Sequence, residues 1–333
     1  MPLTKAYDLS VISSAGFDRR TRVSRLLLDG RADRLAEFPA RPSGLAALGL
    51  TAARCLLPGS RLALGTLLGD DAPADAFRAE MTRRGIDTTF ALRVPGGTTR
   101  RQQVIEAGPD RKFIINQGGV SFAYDLTPAG RRQFKGLAAR SRGLVLARLP
   151  VELTADLLDW APRVGTFAAL APGGEQLGAL ADFRADLLVL NYDEAVAATR
   201  ARPGDPPARV FARLLALSPA ARVVQTGGGE HPAYFADRKR RRGGALEPAA
   251  LGPISRTIAT APTGLGAGDV TAVALARCLV EGAALELAMR WARLLATAHL
   301  FGVVFRTRRE AVAWYAARHA AFVPRRAASP KAA

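Results

Sequence analysis

Thr263-Gly264-Leu265-Gly266-Ala267-Gly268-Asp269-Val270 decides how this chain reads. The run leads straight into a small-residue stretch, Thr271 to Val280, that reads as a helix. A glycine-rich turn opening a helix leaves several backbone N–H groups without intrahelical partners and aims them at one point. With the positive end of the helix dipole they make an anion site. A carboxylate there repels a phosphate. It fits if Asp269 takes a proton from a hydroxyl while the N–H groups hold the charge building on a transferring phosphoryl group. The loop therefore points to phosphoryl transfer to an alcohol. The plainer alternative is that Asp269 only caps the helix.

Around this loop, short apolar runs alternate with helical stretches. Asp8 to Ile12, Arg61 to Leu68, Gly143 to Ala147, Val164 to Leu170, Leu187 to Leu190 and Arg222 to Val224 read as strands. Several are apolar without alternation, as strands covered on both faces are. Ala74 to Arg84, Leu153 to Ala161 and Ala208 to Leu217 read as helices, the last entered after Pro206-Pro207. The alternation predicts an α/β fold, a mostly parallel central sheet flanked by helices on both faces. Arg20 to Pro42 and Arg93 to Val120 break the rhythm, and Thr98 to Ile115 reads as a hairpin turning near Ala107 to Arg111. Together these segments predict a small β-sheet lid on a single domain covering residues 1–323. Such a lid would exclude water, a competing phosphoryl acceptor. The Arg-, Ala- and Pro-rich tail, 324–333, reads as disordered.

The chain has 333 residues, a formal charge of +18 and only five lysines, so nearly all its basic charge is arginine. Nucleic-acid binding is one reading of that charge. The dispersal of the arginines favours the other, a compositional bias spread over solvated helix faces. The one dense run, Arg238 to Arg242, reads as an exposed hairpin tip. Cys55 and Cys278 provide no disulfide framework. No apolar run is long enough to span a bilayer, and Met1 to Ser10 lacks a secretory core, so no membrane partner and a cytoplasmic location are expected. No Gly-x-x-x-x-Gly-Lys-Ser/Thr loop and no protein-kinase set occurs. The three histidines lack zinc-site spacing, and His299, in an apolar helix, reads as a packed core residue.

Other landmarks fall in order along the chain. Asp18 follows the first strand, and Ser43-Gly44 opens an apolar helix. Gly65-Thr-Leu-Leu-Gly-Asp-Asp71 ends a strand, and Arg84-Gly-Ile-Asp87 follows the next helix. Asn191-Tyr-Asp-Glu194 ends a buried strand, and Gln225-Thr-Gly-Gly-Gly229 follows another. Most of these sit at strand carboxyl ends, where open α/β sheets collect ligands. Asn191 and Glu194 also fit a helix cap with a capping-box acid. Asp18 also fits an ordinary turn, and Gly227 to Gly229 a flexible one.

The ordered set resembles the ribokinase, or phosphofructokinase-B, family of carbohydrate kinases, from about Tyr7 to Phe322. The resemblance implies transfer of the γ-phosphoryl of ATP to a hydroxyl of a sugar or sugar-like small molecule. Asp269 matches the catalytic base, and Gly266, Ala267 and Gly268 match the anion hole. Asn191 and Glu194 match the motif that places Mg²⁺ and the ATP phosphates, with the metal held indirectly. Gln225 and Gly227 match the nucleotide-binding strand end. Asp18 matches the acid that holds substrate hydroxyls, and Gly44 stands in the substrate-binding glycine motif. Lids in this family often pair, which leaves a homodimer open.

The chain departs from the family pattern mainly on the acceptor side. Ser13 stands where Gly is usual, and Ala74 where a Gly usually follows the paired acids. Leu-Ala-Ala-Leu48 replaces a stretch that usually carries a sugar-binding Asn. Pro262-Thr263-Gly264-Leu265 replaces the usual Asp-Thr, so the resemblance does not carry a monovalent-cation site over to this chain. A pocket that exchanges Asn for Leu loses hydrogen bonds to sugar hydroxyls. The acceptor is then smaller or more apolar than ribose, or phosphorylated and met by Arg100 or Arg101, only one of which can face the site. The alternative is a catalytically weak or inactive nucleotide- or metabolite-binding member of the same fold.

Overall fold

The computed structural model describes residues 4–23, 34–56, 59–107, 112–122, 126–227, 232–247 and 266–318. Thr263 to Leu265, Gly228, Gly229 and the 324–333 tail lie outside them. Among the described residues, nine strands form the main sheet, in spatial order β13-β12-β11-β10-β9-β8-β1-β4-β5. They are β1 (Tyr7–Ser13), β4 (Leu62–Leu68), β5 (Ile86–Arg93), β8 (Ser141–Ala147), β9 (Phe167–Ala171), β10 (Leu187–Asn191), β11 (Arg222–Thr226), β12 (Ala233–Asp237) and β13 (Arg242–Leu246). All neighbours pair in parallel except β11–β12 and β12–β13, which are antiparallel. The central strands are apolar on both faces because both faces are covered: every residue of β4, Leu-Ala-Leu-Gly-Thr-Leu-Leu, is buried.

Helices α1 (Leu45–Ala53), α2 (Ala72–Arg83), α7 (Ala267–Val280) and α8 (Leu285–Leu300) cover one face with Leu50, Phe77, Val273 and Leu295. Helices α3 (Pro128–Ala139), α4 (Val151–Arg163), α5 (Tyr192–Thr199) and α6 (Pro207–Leu217) cover the other with Phe134, Leu157, Ala195 and Leu214. A last helix, α9 (Arg308–Arg318), packs on α8. Val164 and Gly165 turn the chain after α4, so β9 begins only at Phe167 rather than at Val164. Cys55 and Cys278 are both buried, and burial pushes their thiols up to about 12 and about 11. Among the described residues no helix is long and apolar enough to cross a membrane.

A second, four-stranded sheet has the order β3-β2-β6-β7, from β2 (Gly16–Val23), β3 (Arg34–Ser43), β6 (Arg100–Ala107) and β7 (Lys112–Asn116). β6 and β7 are the expected hairpin. The sheet starts at Gly16 rather than Arg20, because β2 leaves β1 after only Ser14-Ala15 and runs parallel to β6. Arg93 closes β5 of the main sheet instead of opening this one. Phe17 on β2 meets Phe77 on α2 edge to face, with ring centroids 6.0 Å apart, which anchors the small sheet to the main body. The basic run Arg238 to Arg241 is the β12–β13 turn, as its sequence suggested.

Gly49 sets how closely α1 crosses α7. A Cβ there would stand 2.3 Å from Val273 Cγ2 and 3.0 Å from the carbonyl oxygen of Asp269. Replacing it with Ala therefore forces two packed helices apart, a strain of about 1–3 kcal/mol. Chemical denaturation of Gly49→Ala is expected to show a stability loss in that range; an unchanged midpoint would mean that α7 moves without cost.

Candidate active site

A cavity of about 380 Å³ lies between one face of the small sheet, the start of α1, the start of α7 and the segment after α8. That volume suits a small molecule. Asp18, Arg20, Arg100, Gln102 and Val104 line it, spaced two apart along parallel β2 and β6, so they share one sheet face. Asp269, Gly266, Leu48 and Arg148 close the opposite side.

Gly266 caps α7 at φ 82°, a left-handed conformation that favours glycine. It offers no side chain to the helix, and the first intrahelical bond runs from Val270 N–H back to its carbonyl. The N–H groups of Ala267, Gly268 and Asp269 therefore end at the helix terminus without intrahelical acceptors, as an anion hole requires. Asp269 opens onto the cavity but is otherwise surrounded by protein. Burial raises its carboxyl above the ordinary aspartate value; Arg148 and Arg100 pull it back down, and Asp18 pushes it up.

A relay of polar contacts runs along one wall of the cavity. Arg100, buried at the start of β6, donates through Nη2 to Ser43 Oγ at 2.6 Å. Ser43 donates to Asp18 Oδ1, also at 2.6 Å, and Arg100 lies 3.5 Å from that same oxygen. Arg100 faces the cavity, whereas Arg101 is exposed on the other side of the strand, so Arg100 is the one of the pair that faces the site. Gly44 begins α1 at φ 94°, where a Cβ would meet the Ser14 carbonyl at 2.4 Å. The Ser13 hydroxyl takes over the capping there and accepts from Ala46 N–H at 3.2 Å. Leu48 lines the cavity, so the acceptor wall is apolar at that point.

The paired-acid motifs serve as clips. Asp71 caps α2 and accepts from Thr99 N–H at 2.9 Å and Thr99 Oγ1 at 2.5 Å, which fixes the residue before Arg100. Burial alone would raise its carboxyl, but the Thr99 and Ala74 hydrogen bonds hold it below the usual range. Asp87 accepts from Tyr7 Oη at 2.6 Å and from Thr89, tying β5 to β1.

Asn191 and Glu194 make a complete capping box. Glu194 N–H donates to Asn191 Oδ1 at 2.8 Å, and Asn191 N–H to Glu194 Oε2 at 2.9 Å. Burial raises the Glu194 carboxyl; the Asn191 N–H and Arg148 lower it, while Asp269 and Asp193 raise it. Its field is thus shared with Asp269. Gly227 is buried just past β11. The Gln225 side chain is buried, and its amide nitrogen donates to the Pro207 carbonyl at 3.2 Å. It holds β11 to α6.

Residues 44–301 match the family described as pfkB family carbohydrate kinase. The chain belongs to that family. A search of curated proteins finds no significant match. Among solved structures the chain is similar to a putative ribokinase from Agrobacterium tumefaciens, at 18% identity and TM-score 0.77, covering 94% of this chain and 98% of that one. It is similar to Arabidopsis thaliana ribokinase complexed with ribose and ATP, at 17% identity and TM-score 0.72, covering 93% and 98%. It is similar to phosphofructokinase-2 from Escherichia coli in complex with fructose-6-phosphate, at 17% identity and TM-score 0.69, covering 93% and 99%. At these identities the likeness establishes a shared ribokinase-like fold.

Two site residues escaped the sequence reading of this pfkB-family chain. Arg148 directly follows β8 at a strand carboxyl end, with φ 53°. Its N–H donates to Gln176 Oε1 at 3.0 Å, Gly173 N–H reaches the same oxygen at 3.1 Å, and Gln176 Nε2 donates to Thr154 Oγ1 at 2.7 Å. That network holds a backbone conformation costly for a residue with a Cβ. The end-of-strand rule applied to Gly143–Ala147 points to it. His299 lines the cavity rather than packing in the core, because the last turn of α8 runs past Gly266. A Cβ on Gly266 would stand 2.9 Å from His299 Nε2. Nothing in the apolar pattern around His299 signals that.

In urea denaturation, Arg148→Gly is expected to be more stable than Arg148→Ala by about 1 kcal/mol, the reverse of the usual order, because glycine accepts the left-handed backbone. Equal stabilities would show that this backbone is relaxed.

Proposed function

We propose that this protein transfers the γ-phosphoryl group of ATP to a hydroxyl of a sugar or sugar-like alcohol, with Asp269 as general base. The observation that carries the reading is the uncapped start of α7, where N–H donors and Asp269 face one cavity. Family membership supports the reaction class, since pfkB-family carbohydrate kinases phosphorylate sugars with ATP.

Asp18, held by Ser43 and Arg100, orients the acceptor so that its hydroxyl meets Asp269. Asp269 takes the hydroxyl proton as the new O–P bond forms. The N–H groups of Ala267, Gly268 and Asp269 hold the charge on the transferring group, and Arg148 adds a positive charge nearby. The small sheet serves as the lid that keeps water out. Among the described residues no cluster of three or more ligating side chains forms a metal cage. In this reading Mg²⁺ would be carried on nucleotide phosphates and waters, and Glu194, with Asn191 beside it, would hold it. When bound, the metal neutralises phosphate charge. A catalytically weak binding module is the poorer account: a pure anion binder gains nothing from a carboxylate at the anion hole.

Asp269→Asn is expected to abolish ADP release while calorimetry still records ATP binding; turnover near the wild-type rate would remove Asp269 as the base. The same variant tests the raised carboxyl. A group whose pKa is raised by folding stabilises the fold while protonated and loses that contribution as pH rises through its folded value. Asp269→Asn should therefore unfold at a higher temperature than the wild type at pH 8. The gap should close as acid protonates Asp269. The acid limb of kcat/KM should lie above the ordinary aspartate value of about 3.9, and Arg148→Met should move it to still higher pH, because a cation that favours the carboxylate is gone.

A further inference from the structure

Among the described residues, five arginines, Arg20, Arg41, Arg84, Arg100 and Arg148, and two carboxylates, Asp18 and Asp269, line the cavity. They do not all have the same work. Arg84 pairs with Glu80 at 2.8 Å, and Arg100 is committed to Ser43 and Asp18. Arg148 acts on Asp269 and Glu194, on the phosphoryl side. Arg41 differs from all three. It is exposed on β3 directly across from Asp18 in the strand register. Among the described residues its guanidinium makes no ion pair. Arg20 follows Asp18 two residues on and shares its sheet face.

Part of the remaining wall is apolar, and Thr51, Gln102 and His299 line the rest. Leu48 and Ala52 from α1, Val104 from β6, Ile114 from β7 and Val303 and Val304 after α8 all line the cavity. Ile114 and Val304 are 52% and 60% exposed, two of the four large hydrophobic side chains exposed among the described residues. A guanidinium opposite the acceptor carboxylate matches an anionic group in two-point geometry.

We infer that the acceptor is a sugar-like alcohol carrying an anionic group, phosphate or carboxylate, and that Arg41 on the small sheet binds the anion. This rests on the kinase reading and names the acceptor of that same site. The reacting hydroxyl sits between Asp18 and Asp269, the body lies against Leu48 and Val303, and the anion points along the small sheet to Arg41, away from the ATP phosphates.

The test is ATP-dependent ADP release over three matched arms: ribose and fructose, their terminal phosphate esters, and the corresponding sugar acids. The expected result is a kcat/KM at least tenfold higher in one anionic arm than in the neutral one, and whichever arm it is names the anion. Arg41→Met should raise KM for that acceptor about tenfold with little change in KM for ATP, and Arg41→Lys should restore part of the loss, since the charge returns without the fork. A neutral sugar used as well as its anionic counterparts overturns the inference and leaves the kinase reading intact. So does an anionic preference that survives Arg41→Met. ADP release no faster than without acceptor in all three arms overturns the kinase reading itself.

Discussion

The close crossing of α1 and α7 at Gly49 is the constraint on which the site depends. α7 carries both the anion hole and Asp269 at its first turn, while α1 begins at Gly44 beside Ser43 and carries Leu48 into the cavity. Only a residue without a Cβ allows Val273 to approach this closely. The crossing therefore fixes the separation between Asp269 and the cavity wall that carries Leu48. A phosphoryl transfer depends on positioning more than on covalent chemistry, and misplacement by about 1 Å can cost a hundredfold in rate. Packing at an inert helix contact is thus as much a part of the site as Asp269.

The fold was legible because its signals are redundant. Apolar runs such as Leu187 to Leu190, helical stretches between them and the glycine-rich loop before α7 all implied one architecture. The motifs were legible as an ordered set, yet the structure divides them by role. Asp71 and Asp87 mark the family but serve as clips, one on Thr99 and the other on Tyr7. Asn191 and Glu194 satisfy the capping-box alternative in full. That does not oppose a second role, because a capped strand end is what holds Glu194 within the field of Asp269.

What sequence could not supply was adjacency across the sheet. Arg148 is one arginine among many in an arginine-rich chain, and its significance lies in a left-handed backbone and in facing Asp269. His299 sits in an apolar pattern and reaches the cavity only because α8 ends beside Gly266. For Gln225, a strand-end position suggested a ligand contact, and the sequence did not show that its side chain is buried with its amide on the Pro207 carbonyl. Each case concerns which way a side chain points after distant elements pack, and no local pattern encodes that.

The arginines of the cavity also bear on how Asp269 can work at all. Burial favours its neutral form, and a neutral carboxyl cannot accept a proton. Two cations of the cavity oppose that effect, Arg148 first and then Arg100. The result is a carboxylate kept ionisable but more basic than one in water, which is the compromise a general base needs. An anionic acceptor would raise the basicity further as it binds, by adding negative charge near Asp269, while Arg41 offsets the cost of bringing that charge in. Binding and basicity would then rise together, and a neutral sugar in the same cavity would meet a weaker base.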